Sequence, residues 1–306
     1  MASPCEVVLA ARDESDARLH MQAAVDEVRR IERKFSRYLS DSVLQRINTS
    51  AGTTVEIDDE TAALFDFADQ LFELSDGLFD VTSGVLRRAW DFKSSRLPTP
   101  AEVEAALACV GWHHVKRGPR TVALQRSGME VDFGGFGKEY AADRAATVLL
   151  DRGLQHGFIN LGGDIRAFGP QLDGSPWRIG IRHPDHADRL LASIALSAGG
   201  LATSGDYERY FIHEGRRYCH VLNPRTGWPV THWRSVSALA PVCVAAGALT
   251  TIAMLKEREG AAWLDTQGAP YLAMDTGGHT ITQKIGGLHP DEPGETPTTT
   301  RVLESL

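Results

Sequence analysis

The chain has 306 residues, 42% of them hydrophobic and 24% charged, with a formal net charge of −8. That balance describes a globular protein with a sizeable core, built as one large domain or two closely packed ones, and no apolar run approaches the ~20 residues of a membrane-spanning helix. The negative charge is spread along the chain, which argues against a general nucleic-acid binder and leaves only a local basic pocket for a phosphate.

Residues 1–6 show neither a basic n-region nor an apolar h-region, so the sequence predicts a cytoplasmic protein without an export signal, although a chain stripped of its leader would read the same. The four cysteines, Cys5, Cys109, Cys219 and Cys243, lack metal-knuckle spacing and are too few for a disulfide framework.

In chain order, residues 6–11 predict a short strand. Residues 14–34 predict a helix in which Ala17, Met21, Ala24, Val28 and Ile31 recur at helical spacing. In the polar loop Phe35-Ser36-Arg37-Tyr38, the tyrosine either stacks on a planar ligand or packs half-buried. After a short helix over 43–48, Asp59 is the expected N-cap of a helix that runs to about Leu74 and stops at Ser75-Asp76-Gly77. Trp90-Asp91-Phe92 sets two aromatics around an acid, which suits a flat ligand with hydrogen-bond donors or a hydrophobic staple under a loop. Residues 97–118, with one helix over 100–110, read as a peripheral insertion, and 122–124 and 129–133 as a hairpin-like pair.

The run Val131-Asp132-Phe133-Gly134-Gly135-Phe136-Gly137-Lys138-Glu139-Tyr140 dominates the middle of the chain. A β-favouring stretch ends in an acid, glycines let the backbone approach something closely, and a lysine opens an amphipathic segment. Strand, tight turn and helix N-terminus in that order hold phosphates, or serve structure alone. The spacing is not a Walker loop, because Glu139 follows the lysine, and not a Rossmann fingerprint, because Tyr140 replaces its last glycine.

After a helix over 139–150, residues 158–165 read as one buried strand interrupted by Gly162-Gly163. Strands are predicted at 177–181, 192–196 and 236–239, and a small-residue helix at 245–256. Between them lie a hydroxyl- and charge-rich stretch containing Asp206, and a turn in which His220 and Arg225-Thr226-Gly227 can meet a phosphate, or His220 is structural. Rising Pro, Glu and Thr content predicts a loose tail over 286–306 behind a domain of 1–285. Neither a Gly-x-Ser-x-Gly elbow nor a His-Glu-x-x-His motif is present, which argues against a serine hydrolase and a zinc peptidase.

Phe35-Ser36-x-Tyr38, Gly77-x-Phe79-Asp80-x-Thr82, the Asp132 to Asp143 run, Asn160-x-Gly162-Gly163-Asp164, Ser204-Gly205-Asp206-Tyr207, His220-x-x-x-Pro224-x-Thr226-Gly227 and Ala246 to Thr251 follow one another along the chain. Together they resemble the ApbE family, the FAD:protein FMN transferases, over roughly residues 1–275. The resemblance implies an α+β fold of the flavin-transferase type, T-fold-like mixed sheets with packed helices, binding FAD with Mg²⁺ on its pyrophosphate. The implied activity moves FMN to a Ser or Thr hydroxyl of an acceptor protein and releases AMP.

Carried over by position, Met1, Tyr38, Trp90, Asp91, Phe92, Asp132, Lys138, Val221 and Leu222 are expected FAD contacts, Tyr38 at the flavin ring and Lys138 near the phosphates. Gly135 is expected to give a backbone carbonyl to the metal, and Thr251 a side-chain oxygen. His220 is the expected proton acceptor, oriented or assisted by Asp206.

Two positions depart from the family pattern. Gly247 stands where the metal-site helix carries an aspartate, and Asn223 where the turn carries one. Mg²⁺ favours at least one carboxylate, so Gly247 predicts weaker binding, a metal left to the FAD phosphates and water, or a rearranged site using Asp206 or another acid, and Gly247→Asp would at most improve the affinity. It also opens an alternative: an FAD-binding protein or accessory factor without transferase activity, or an FAD pyrophosphatase. Cys219, His220 and Cys243 add the option of a softer metal site.

Overall fold

The computed structural model describes residues 4–186 and 188–285; Met1 and the expected tail over 286–306 lie outside the described residues. The first half runs β1 (Cys5–Leu9), α1 (Glu14–Phe35), α2 (Val43–Thr49), β2 (Val55–Glu56), α3 (Asp59–Leu74), α4 (Pro100–Leu107), β3 (Val115–Gly118), β4 (Thr121–Leu124) and α5 (Gly137–Asp151). The second continues with β5 (Gly157–Leu161), β6 (Asp164–Phe168), β7 (Trp177–Arg182), β8 (Leu190–Leu196), β9 (Ala198–Gly205), β10 (Tyr210–His213), β11 (Arg216–Cys219) and β12 (Trp233–Ala240). It closes with α6 (Cys243–Leu255), α7 (Gly260–Gln267), β13 (Tyr271–Asp275) and β14 (Thr280–Gln283). The fold is α+β, as expected, and no helix among the described residues is long and apolar enough to cross a membrane.

A seven-stranded antiparallel sheet, in the order β1-β5-β6-β9-β12-β13-β14, carries the molecule. Side chains alternate across it. On β5, Phe158 enters a core with Trp177, Ile179 and Ile194 of the β7–β8 hairpin, while its neighbour Ile159 enters one with α1 and α5. The sheet is therefore covered on both faces, by helices on one and by the hairpin on the other. Ala141, Ala142, Ala145 and Ala146 give α5 a small-residue surface, against which Ala24, Val28 and Ile31 of α1 pack. Each such buried branched side chain contributes on the order of 1.5–3 kcal/mol over its exposed state.

Three sequence expectations change. Asp58, one residue earlier than expected, is the N-cap of α3, accepting the N–H of Thr61 at 2.9 Å. Residues 158–165 form two strands: Leu161 and Asp164 pair across Gly162-Gly163, whose φ values of +65° and +96° make the tight hairpin turn that glycine favours. The partners of β4 are β2 and β3 instead of 129–133. Val131 satisfies both its backbone groups on the Asn48 side chain, accepting from Nδ2 at 3.0 Å and donating to Oδ1 at 2.7 Å, so an extended run exists without a second strand.

Residues 97–118 are tied into the core. Trp112 is buried, its backbone N–H donates to Asp80 Oδ2 at 3.1 Å, and the N–H of Gly111 donates to Thr82 Oγ1 at 2.8 Å.

Candidate active site

Asp143 on α5 sets how α5 and α6 meet. Its two carboxylate oxygens accept the backbone N–H groups of Cys243 and Val244, each at 2.8 Å, and so satisfy donors that the start of α6 would otherwise leave open. Arg166 on β6 lies 3.3 Å from the same carboxylate. With α6 anchored there, Gly247 faces the side chain of Glu139: a Cβ at position 247 would lie 2.7 Å from both Glu139 Cγ and Oε1.

Glu139 is 8% exposed, and its Oε2 has no hydrogen-bond partner among the described residues. Burial, then the neighbouring Asp164 carboxylate, push its pKa well above the usual carboxylate range, against the pull of Lys138. Lys138 Nζ lies 2.6 Å from Asp164 Oδ2, and Asp164 Oδ1 accepts the N–H of Thr203 at 3.1 Å. Burial works against the Lys138 ammonium, but Asp164 and Glu139 outweigh it and its pKa is raised. Next along β9, Ser204 Oγ sits 2.9 Å from Thr250 Oγ1 and 3.2 Å from Thr251 Oγ1. One lysine, two acids and three hydroxyls thus meet from α5, β6, β9 and α6.

Carboxylate and hydroxyl oxygens, one of them buried and unpartnered, fit a hard cation such as Mg²⁺. A soft site is not built: Cys219 and Cys243 lie in separate core clusters, and no group of three or more His, Cys, Asp or Glu among the described residues is arranged to hold a metal.

Tyr38 is 79% exposed, which removes the half-buried option. The Arg37 guanidinium lies over its ring at 4.9 Å, donates to its hydroxyl at 2.7 Å and pairs with Asp132. Asp132 Oδ1 also accepts the N–H of Gly134 at 2.9 Å, locking the turn that ends at Gly135. One acid therefore fixes the glycine turn and, through Arg37, the tyrosine ring.

Trp90 is buried under the His220 turn. It stacks on Phe92 and Tyr218 at 6.0 and 5.9 Å, meets Trp228 edge-on at 5.2 Å, and donates Nε1 to the Gly227 carbonyl at 2.8 Å. Phe92 is half-buried on this stack and Asp91 is exposed, accepting the N–H of Lys93. The staple reading describes Trp90, while the acid stays on the surface. Val221 and Leu222 are half-buried in the same turn, paired with Val230 and Pro229.

His220 donates its backbone N–H to Arg209 O, and its ring Nδ1 is buried without a hydrogen-bond partner among the described residues. Burial, then the charge of Arg209, lower its pKa to about 4, and Lys138 adds in the same direction, so the ring is neutral at pH 7. Asp206 does not orient it. The Asp206 oxygens accept from Arg217 at 2.8 Å and Arg234 at 2.6 Å, and no hydrogen bond joins Asp206 to His220 among the described residues. Arginines on β11 and β12 take the carboxylate that the sequence reading gave to histidine. Asn223 makes an Asx turn, its Oδ1 accepting the N–H of Arg225 at 2.9 Å, a task that asparagine performs as well as aspartate.

Glu139, Asp164 and Ser204 carried no role in the sequence reading. The one available signal was an acid on the face of α5 shared with buried Ala142, Ala146 and Leu149, where a charge needs a partner. An apolar cavity of about 590 Å³, lined by residues such as Leu71, Leu196, Ala248 and Pro270, lies apart and includes none of the expected site residues.

A family model described as the ApbE family matches residues 1–273. The chain belongs to the ApbE family. It is 31% identical over 231 residues to the FAD:protein FMN transferase of Haemophilus influenzae, covering 71% of this chain and 67% of that protein. To the FAD:protein FMN transferase of Vibrio cholerae it is 30% identical over 261 residues, covering 82% and 78%. Among solved structures, the ApbE protein of Thermotoga maritima matches with a TM-score of 0.83 at 33% identity, over 92% of this chain and 93% of that one. The flavin transferase ApbE of Vibrio cholerae gives the same TM-score at 26% identity, over 93% and 94%. The ApbE fold thus accounts for the sheet, the helices and the clusters between them.

Proposed function

We propose that this chain is an FAD:protein FMN transferase, moving FMN from FAD to a Ser or Thr hydroxyl of an acceptor protein and releasing AMP. The carrying observation is a charged lysine, buried acids and hydroxyls set beside a neutral histidine whose Nδ1 has no hydrogen-bond partner among the described residues, in a chain whose curated relatives bear that name. Attack by a weak hydroxyl on a pyrophosphate needs charge neutralisation, alignment and a proton acceptor.

The Thr251 hydroxyl, the Gly135 carbonyl and a carboxylate would hold Mg²⁺, which would supply charge neutralisation on the pyrophosphate. Lys138 adds a second positive charge, and Asp164 fixes where its ammonium points. Tyr38, presented by Arg37, offers a ring face to the isoalloxazine. His220 Nδ1 takes the proton as the acceptor oxygen bonds to the FMN phosphorus and the bond to AMP breaks. Asp206, held by two arginines, steadies the strand ends around this turn.

Chromatography of FAD incubated with the protein, Mg²⁺ and an acceptor domain tests the reading. AMP should appear in step with protein-bound flavin and depend on the acceptor. Equal release of free FMN and AMP without acceptor would make the protein a pyrophosphatase.

A further inference from the structure

Gly247 and Glu139 divide one volume between them. A Cβ on Gly247 would come within 2.7 Å of Glu139 Cγ and Oε1 and 2.9 Å of Cδ, closer than real Cβ atoms approach, so the space that a side chain at 247 would enter is held by the Glu139 carboxyl group. The carboxyl is 8% exposed, and its Oε2 has no hydrogen-bond partner among the described residues. A buried oxygen left in that state costs about 1–3 kcal/mol, and such an exception calls for a missing partner. Asp164, the other acid of the cluster, is already committed to Lys138 and to the N–H of Thr203. Four residues after Gly247, Thr251 brings a hydroxyl to the same helix face.

We infer that Glu139 is the carboxylate ligand of the divalent cation at this site, delivered from α5, and that position 247 is glycine because any side chain there would displace it. The inference rests on the flavin-transferase reading of the site. It reverses the expectation that Gly247 leaves the metal without an acid and that Gly247→Asp would improve binding: aspartate at 247 collides with the ligand already present.

The test is Mn²⁺ affinity, followed by electron paramagnetic resonance, with Mg²⁺ competition, on the FAD-saturated full chain. FAD affinity is measured separately in chelator by flavin fluorescence. Glu139→Gln should bind Mn²⁺ at least about tenfold more weakly while keeping its FAD affinity in chelator. Gly247→Asp alone should also lose Mn²⁺ affinity, and E139A/G247D should recover it to within a few-fold of the parent, because one carboxylate again occupies the shared volume. Parent-like Mn²⁺ binding by Glu139→Gln would overturn the inference and leave the flavin reading standing, as would a folded, FAD-binding E139A/G247D variant that recovers nothing. A parent protein that binds no FAD would remove the flavin reading, and the inference with it.

Discussion

His220 is held neutral by burial and by the cations around it, and neutrality is what a proton acceptor needs. Its pKa of about 4 lies below the ordinary 6.5, so between those values the unfolded chain takes up a proton that the folded one refuses. Folding stability from this residue is therefore complete above pH 6.5 and is lost as pH falls toward 4, whereas the transfer rate gains no acid limb from His220 until pH nears 4. His220→Gln should lower the transfer rate by about 10²–10⁴-fold with FAD affinity preserved; an unchanged rate in single-turnover assays would place the base elsewhere. Tyr38, exposed and braced by Arg37, should act on binding instead. Tyr38→Ala should weaken FAD by about threefold to tenfold in fluorescence titrations and Tyr38→Phe by much less, since stacking is worth about 0.5–1.5 kcal/mol; equal affinities would rule out a flavin on that ring. Tyr38 and His220 were singled out in the sequence through the family resemblance, since each residue taken alone read as readily as structural. The surroundings of Asp206 and Glu139 were not legible, because Arg217, Arg234 and Gly247, which face them, arrive on other elements.

Among the elements, the α5–α6 junction carries the site, and Asp143 is its fastening. Asp143→Ala leaves two N–H groups of α6 without their acceptors and should cost about 2 kcal/mol in urea unfolding, with Asp143→Asn in between. A loss near zero would mean that helix packing alone sets the junction. Helical periodicity and capping chemistry made α1, α3, α5 and α6 readable to within a residue or two, the N-cap of α3 falling on Asp58 where Asp59 was expected. Strand pairing was less readable, since it depends on distant partners. Val131 finds a side chain, Asn48, where a strand was expected, and Gly162-Gly163 closes a hairpin where an interruption was expected.

At the scale of the molecule, residues far apart in the chain meet only because one antiparallel sheet is covered by α1, α5 and α6 on one side and by β7–β8 on the other. The order of the motifs made the family legible, but it did not reveal that Glu139 stands against Gly247, a pairing that exists only once α5 and α6 are packed. The decisive measurement is intact-mass spectrometry of a flavin-acceptor domain after incubation with this protein, FAD and Mg²⁺. An FMN-sized mass gain on one Ser or Thr, abolished by chelator, is the expected result. An acceptor that gains nothing from this protein, yet is labelled by an active ApbE relative under the same conditions, would contradict the transferase reading.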